Sequence, residues 1–229
     1  MDQDALVTRL GVVLGRALPP SAELGLVEVG DRLVWEGFDR PRDLPLWVRG
    51  WIDAYQLLRE DGIIEEGETI DVVVSAQDPL AALAAIMAQK EGLPLYTVIL
   101  ADEEDGEVYR YSRGLGPCPP GWEALAGGRW QERYPDVVVG WADPVSMAEA
   151  VVEAYESEDY LLHPDTATAW AVTDVYWEEA EHDRVTLVLA AKHPYEKASE
   201  VWEILSGDQL PQDEAVKQLY LDSGWEYPA

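Results

Sequence analysis

Apolar residues along this chain fall into two rhythms. Leu6, Leu10, Val13 and Leu14 recur at three- and four-residue intervals and predict a short amphipathic helix, after which Leu33-Val34-Trp35 closes a short strand. Leu44, Trp47, Val48, Trp51, Tyr55 and Leu58 then share one face of a helix over 44–58. Ile70-Asp71-Val72-Val73-Val74 is a β-branched run and reads as a strand. Asp78 is the candidate N-cap of the helix that follows, and Pro79 occupies its first helical position. That helix is expected to turn Leu80, Leu83, Ile86 and Met87 inward and to stop at Gly92 and Pro94, before a further apolar run over 95–100.

Strand, helix and strand at this spacing make a βαβ unit, and near-continuous apolar strands suggest a parallel sheet covered on both faces. The punctuation recurs. Asp143-Pro144 opens a helix carrying Met147, Val151, Val152 and Tyr155. The strand over 185–190 leads through His193-Pro194 into a helix with Val201, Trp202 and Leu205, stopped by Gly207. The expected fold is therefore α/β, a mostly parallel twisted sheet with helices on both faces. Residues 1–36 read as an appendage, 37–206 as the main α/β domain, and 207–229 as a loosely attached acidic tail with a last helix near 214–221. The stretch 104–135 breaks the pattern as a loop insertion rich in Gly, Pro, Trp and Tyr. No internal repeat is evident.

Charge changes the picture more than composition does. The 229 residues hold 45 Asp plus Glu against 16 Lys plus Arg, a formal net charge of −29, and only Lys90, Lys192, Lys197 and Lys217 are lysines. Such a field excludes direct nucleic-acid binding, because phosphate backbones require neutralising cations. It suits solubility at high salt, docking on a basic partner (by imitating DNA or otherwise), or plain solubility. Cys118 stands alone, so no internal disulfide forms, and the acidic N-terminus is unlike a signal peptide. The charge-free apolar stretch 79–89 is too short to span a bilayer, so a soluble cytoplasmic protein is expected.

Three collinear stretches carry a likeness to a known family. Asp136-Val-Val-Val-Gly-Trp-Ala-Asp-Pro144 followed by Tyr160-Leu-Leu-His-Pro-Asp-Thr-Ala167 is similar to the strand, helix and "HPHTA" or "EPHAA" segment of threonine synthase. Leu189-Ala-Ala-Lys-His-Pro194 is similar to its "LGTAHPAKF", and Val73-Val-Ser-Ala-Gln-Asp-Pro79 to its "VPSGNFGD". A weaker match sets 37–57 on "NSINxxR", with Arg42 on the arginine. The chain thus resembles the C-terminal portion of threonine synthase across 37–206, and the resemblance implies part of the tryptophan synthase β-like fold of enzymes that use pyridoxal phosphate (fold type II).

The resemblance implies a cofactor pocket around Arg42, Ser75, Gln77, Asp78, His163, Thr166, Lys192 and His193, but the motifs depart where the chemistry is done. The family's phosphate loop uses glycine N–H groups ahead of a helix. Here Asp78 adds a carboxylate and Pro79 lacks an N–H. Ala191 replaces the threonine of "GTAHP", and Glu196 replaces the lysine of "HPAKF". Aldimine chemistry needs a lysine aimed at the cofactor, and the family places it in the upstream half. The expectation is a non-catalytic relative, not an enzyme, with no cofactor, that acts by binding a protein partner, a second copy or a small ligand. Two alternatives stand beside it. One is half of a split enzyme, using pyridoxal phosphate once a lysine-bearing chain joins it. The other is an acidic decoy for a basic protein surface.

His163 and His193 each precede a proline, which reads as helix-entry punctuation or as a relic ligand-binding pair; with His182 they are too scattered for zinc, and no metal site is expected. Arg110, Arg113, Trp122, Arg129, Trp130 and Arg133 form a candidate partner contact, or a surface loop pinned by its own aromatics. The carboxylate clusters at 102–105 and 178–183 lack calcium-loop spacing and read as solvated faces. Ten tryptophans are explained first by core packing.

Overall fold

The structure, a computed structural model, describes residues 3–22, 24–38, 43–126, 130–179 and 184–226. Six strands form one sheet: β1 (Gly25–Val29), β2 (Arg32–Glu36), β3 (Ile70–Ser75), β4 (Leu95–Glu103), β5 (Val137–Ala142) and β6 (Thr186–Ala190). Their order is β1-β2-β6-β3-β4-β5, with β1 antiparallel to β2 and every other neighbouring pair parallel. The helices are α1 (Gln3–Leu14), α2 (Leu44–Glu60), α3 (Pro79–Lys90), α4 (Glu107–Ser112), α5 (Trp130–Arg133), α6 (Pro144–Glu158), α7 (Pro164–Glu179), α8 (Ala198–Ser206) and α9 (Gln212–Ser223).

The apolar runs of the central strands serve both faces because successive side chains point to opposite sides. Val72, Val74, Val98, Leu100, Leu187 and Leu189 pack with α1, α2 and α3. Val73, Ile99, Ala101 and Val188 pack against α7. Beside them, α6, α8 and α9 share a second cluster with Val34 and Ala190. The Trp51 indole N–H donates to the Ala81 carbonyl at 3.0 Å and ties α2 to α3.

Several sequence-based expectations change here. The helix α3 buries Ala81, Ala82, Ala84, Ala85, Ile86 and Ala88, whereas Leu80, Leu83 and Met87 are only partly buried. Small side chains let the helix lie close to the sheet, so burial follows the alanines. Val13 is exposed although Leu6 and Leu10 are buried. Residues 1–36 are not an appendage: Leu6 and Leu10 sit in the main core, and β2 pairs with β6 inside the sheet. The tail is not loose either. Ala215 and Leu219 of α9 are buried, and the Gln212 amide donates to the Tyr195 carbonyl at 2.6 Å. Within 104–135, Trp122 and Trp130 are core residues packed with Tyr111 and Tyr134, so neither is available to a partner. Asp102 is buried rather than solvated. Its carboxylate accepts the backbone N–H groups of Glu103 and Tyr109, and so caps α4, whose own N-cap residue is Gly106.

At the amino ends of the strands a polar cluster closes the sheet. Asp71, fully buried, sits where the β3–β4 register shifts, and its carboxylate accepts the Thr97 N–H at 3.0 Å in place of a ladder partner. Arg184 pairs with the other oxygen at 3.3 Å and lies over the Tyr96 ring. Nearby, Arg32 is buried between the rings of Trp170 and Trp177, 4.2 and 4.7 Å from their centroids, and pairs with Asp174 and Asp31.

Candidate functional site

The candidate site follows from the sheet order. After β5 the chain returns and inserts β6 between β2 and β3. The connection leaving β3 leads to α3 on one face, and the connection leaving β6 leads to α8 on the other. Two diverging connections at the carboxyl ends of adjacent parallel strands open a crevice at the topological switch point, where open α/β sheets bind ligands.

Three segments meet there. The β3 exit brings buried Ser75, whose hydroxyl oxygen accepts the Gln77 N–H at 3.1 Å, and Asp78. The β6 exit brings Lys192 and His193, and the start of α7 brings His163, Asp165 and Thr166, the last of these buried. Asp78 stands at the N-cap position of α3, but its carboxylate makes no capping hydrogen bond. It lies 4.0 Å from the Lys192 ammonium instead. Lys192 also donates to Asp165, in the first turn of α7. One cation therefore joins the N-termini of two helices on opposite faces of the sheet. Each terminus already favours its carboxylate through the helix dipole. Burial disfavours the charged form of Lys192, but the hydrogen bond to Asp165 and the nearby charges of Asp78, Asp165 and Glu196 prevail. Its pKa is raised above the usual amine value.

Both histidines are caps. The Nδ1 of His163 accepts the Asp165 N–H at 3.1 Å, and the Nδ1 of His193 accepts the Tyr195 N–H at 3.1 Å. Each is followed by a proline at the first helical position, where the missing N–H costs nothing. With Nδ1 an acceptor, the neutral His163 ring carries its proton on Nε2. Burial, opposed by Asp165 and reinforced by Lys192, pushes the pKa of His163 down to about 4. His193 packs edge-on against Phe38 and Tyr195, with Trp225 behind it. Glu196 closes a capping box by accepting the His193 N–H at 3.1 Å, which accounts for the acid at that position.

Of the residues expected at the pocket, Ser75, Gln77, Asp78, His163, Thr166, Lys192 and His193 lie on the three segments that border the crevice, and Arg42 lies outside the described residues. Sequence reasoning missed Asp165, although it stands where the family's "HPHTA" has a histidine. It also missed Phe38 and Trp225, which carry no motif. The candidate partner contact is dispersed. Arg110, Arg113 and Arg133 are exposed, Trp122 and Trp130 are buried, and Arg129 lies outside the described residues, as does His182. Among the described residues, no group of three or more His, Cys, Asp or Glu could hold a metal, and no helix is long and apolar enough to cross a membrane.

No protein-family model and no curated protein matches the chain. Solved structures do. Yeast threonine synthase is similar at 16% identity over 78% of this chain and 47% of that one, with a TM-score of 0.55. The Escherichia coli threonine synthase aligns at 18% identity over 76% and 43%, with a TM-score of 0.54. The PLP-bound threonine synthase of Brucella melitensis aligns at 15% over 73% and 44%, with a TM-score of 0.50. At such identities the likeness is one of fold, an α/β fold shared with PLP enzymes of type II. The chain spans less than half the length of each of these threonine synthases.

Proposed function

We propose that this chain is a non-catalytic domain of the threonine synthase-like fold that acts by binding, its switch-point crevice given over to internal ion pairing. The observation that carries this reading is the position of Lys192 between Asp165 and Asp78. A lysine held by two carboxylates, its pKa raised, is kept as an ammonium and has no lone pair for an aldehyde. The residues around it argue against pyridoxal phosphate for a second reason. At the turn that would face a phosphate, Asp78 presents a carboxylate and Pro79 offers no N–H. The imidazoles of His163 and His193 are occupied in capping. The ligand is then a protein partner, a second copy of the chain or a small molecule, and the net charge of −29 disfavours nucleic acid.

The test is a titration of the purified chain with pyridoxal phosphate, followed by absorbance and by crystal soaking. No stable aldimine band and no density between Ser75 and His193 are expected. A band that Lys192→Ala abolishes would refute the reading. The chain aligns with 43–47% of the E. coli and yeast threonine synthases, and the second reading is a split enzyme completed by a lysine-bearing chain. A lysine-bearing partner chain that forms a coloured complex with this one and the cofactor would establish it.

A further inference from the structure

The outer strand β5 is an edge without a guard. It ends the sheet among the described residues, so its outward backbone groups have no strand partner. Its six residues, Val-Val-Val-Gly-Trp-Ala, include neither a charge nor a proline. Exposed edges of this kind pair with another strand unless a charge, a proline or a covering segment prevents it. The opposite edge, β1, carries exposed Glu28, the fourth of its five residues. Both sides of β5 are apolar where they meet solvent. Val138 is 40% exposed beside Val175 of α7, itself 51% exposed, and Trp141 is 40% exposed on the other side, edge-on to Tyr109. A groove of about 430 Å³ follows this edge, and the charged residues lining it are one arginine, Arg113, and one aspartate, Asp143. At Gly140 an added Cβ would meet the Val172 side chain at 2.5 Å, so the strand lies hard against α7 and its free side is the edge.

We infer that this edge pairs with the same edge of a second copy of the chain, antiparallel about a two-fold axis, to make one continuous sheet. A basic foreign partner would be drawn to the acidic faces. The neutral, apolar border is where two chains of charge −29 can approach with least repulsion. A strand facing itself across a two-fold axis is self-complementary by construction. In that arrangement the Ala142 end of one strand lies against the Val137 end of the other. Exposed Arg113, beside the Trp141 end, then faces the partner's Asp136, an exposed residue at the strand's start, and the axis makes this pair twice. The assignment is independent of the reading of the crevice as taken up by ion pairing, which concerns the β3 and β6 exits.

Sedimentation velocity of the full chain over a range of concentrations tests it, at roughly 0.3 M salt to bring the screening length below about 10 Å. The expected result is a two-chain species that Val138→Lys converts to a single chain with an unchanged far-UV spectrum. Arg113→Glu and Asp136→Arg should each raise the dissociation constant by about tenfold or more, and the double variant should recover most of that loss. A wild-type chain that stays single at every concentration overturns the inference. So does a dimer indifferent to Val138→Lys and Arg113→Glu, or a double variant no better than the single ones. If Val138→Lys fails to fold, the charge exchange decides by itself. A single chain that takes up an added strand-forming peptide assigns the edge to a foreign partner and likewise overturns it.

Discussion

At the amino ends of the strands, Asp71 is fully buried and each of its oxygens has a partner on a neighbouring element. At the carboxyl ends, Lys192 remains 24% exposed and bridges two carboxylates that are themselves partly open to water. Both clusters join segments distant in sequence, and both pair an acid with a base. The first repairs the register shift in the β3–β4 ladder and closes the sheet. The second spans a crevice that the topology opens. Charge buried to complete a ladder is structural, and its removal should cost far more than removal of charge held across a gap.

The largest effect should come from Asp71→Ala, which strands the Thr97 N–H and takes from Arg184 its carboxylate partner. A loss of about 3 kcal/mol is expected in urea unfolding, within the range for breaking a buried pair. A loss under about 1 kcal/mol would make the two ends alike.

His163 comes next, through pH. Its folded pKa of about 4 lies below the ordinary histidine value of 6.5, so the neutral ring is the form the fold prefers. Stability from this source is fully present above pH 6.5 and is lost as pH falls toward 4, because the unfolded chain takes up the proton first. The full swing is about 3 kcal/mol. His163→Asn keeps a capping side chain without a titration and should flatten this part of the pH profile, read as the difference in Tm between variant and wild type. Equal slopes would show that the ring titrates normally.

Arg32→Ala removes a cation packed between two indole rings. The expected loss is about 2 kcal/mol, given the value of a desolvated cation–π contact, with partial recovery in Arg32→Lys. The smallest effect belongs to the crevice. Lys192→Met leaves Asp78 and Asp165 facing each other and should cost about 1 kcal/mol at low salt, less at high salt. Asp78→Ser should cost less still, because it gives up an ion pair at 4.0 Å but supplies a hydroxyl suited to the N-cap of α3. A strong effect of either would mean that the crevice is as integral to stability as the opposite end.

The layered fold was legible because the central strands carry near-continuous apolar runs and the helices are punctuated by Asp-Pro and His-Pro. The first hairpin strand was not, since Gly25–Val29 is short, half-buried and carries a glutamate. The docking of 207–226 was hidden because only Ala215 and Leu219 of its helix are fully buried. At the site, each proline pointed to its histidine cap, and the departures at Asp78 and Glu196 were visible residue by residue. Asp78, Asp165 and Lys192 come from three separate segments, however, and only the insertion of β6 beside β3 brings them together. Their ion pairing follows from topology and leaves no local mark. Trp122 and Trp130 misled for the opposite reason: an arginine-aromatic composition describes a surface contact and a buried aromatic knot equally well.

That insertion also governs how the chain must acquire its structure. Residues 33–36 pair with 187–190, and β3 pairs with the other side of the same late strand. Until the ribosome has delivered β6, the early hairpin and the β3–β5 half share no ladder, and their borders face water. The protein is therefore expected to gain its cooperativity in one late step, slow in the manner of folds dominated by distant contacts. Nascent chains arrested before residue 186 should be protease-sensitive throughout 25–36, and those released after residue 206 resistant.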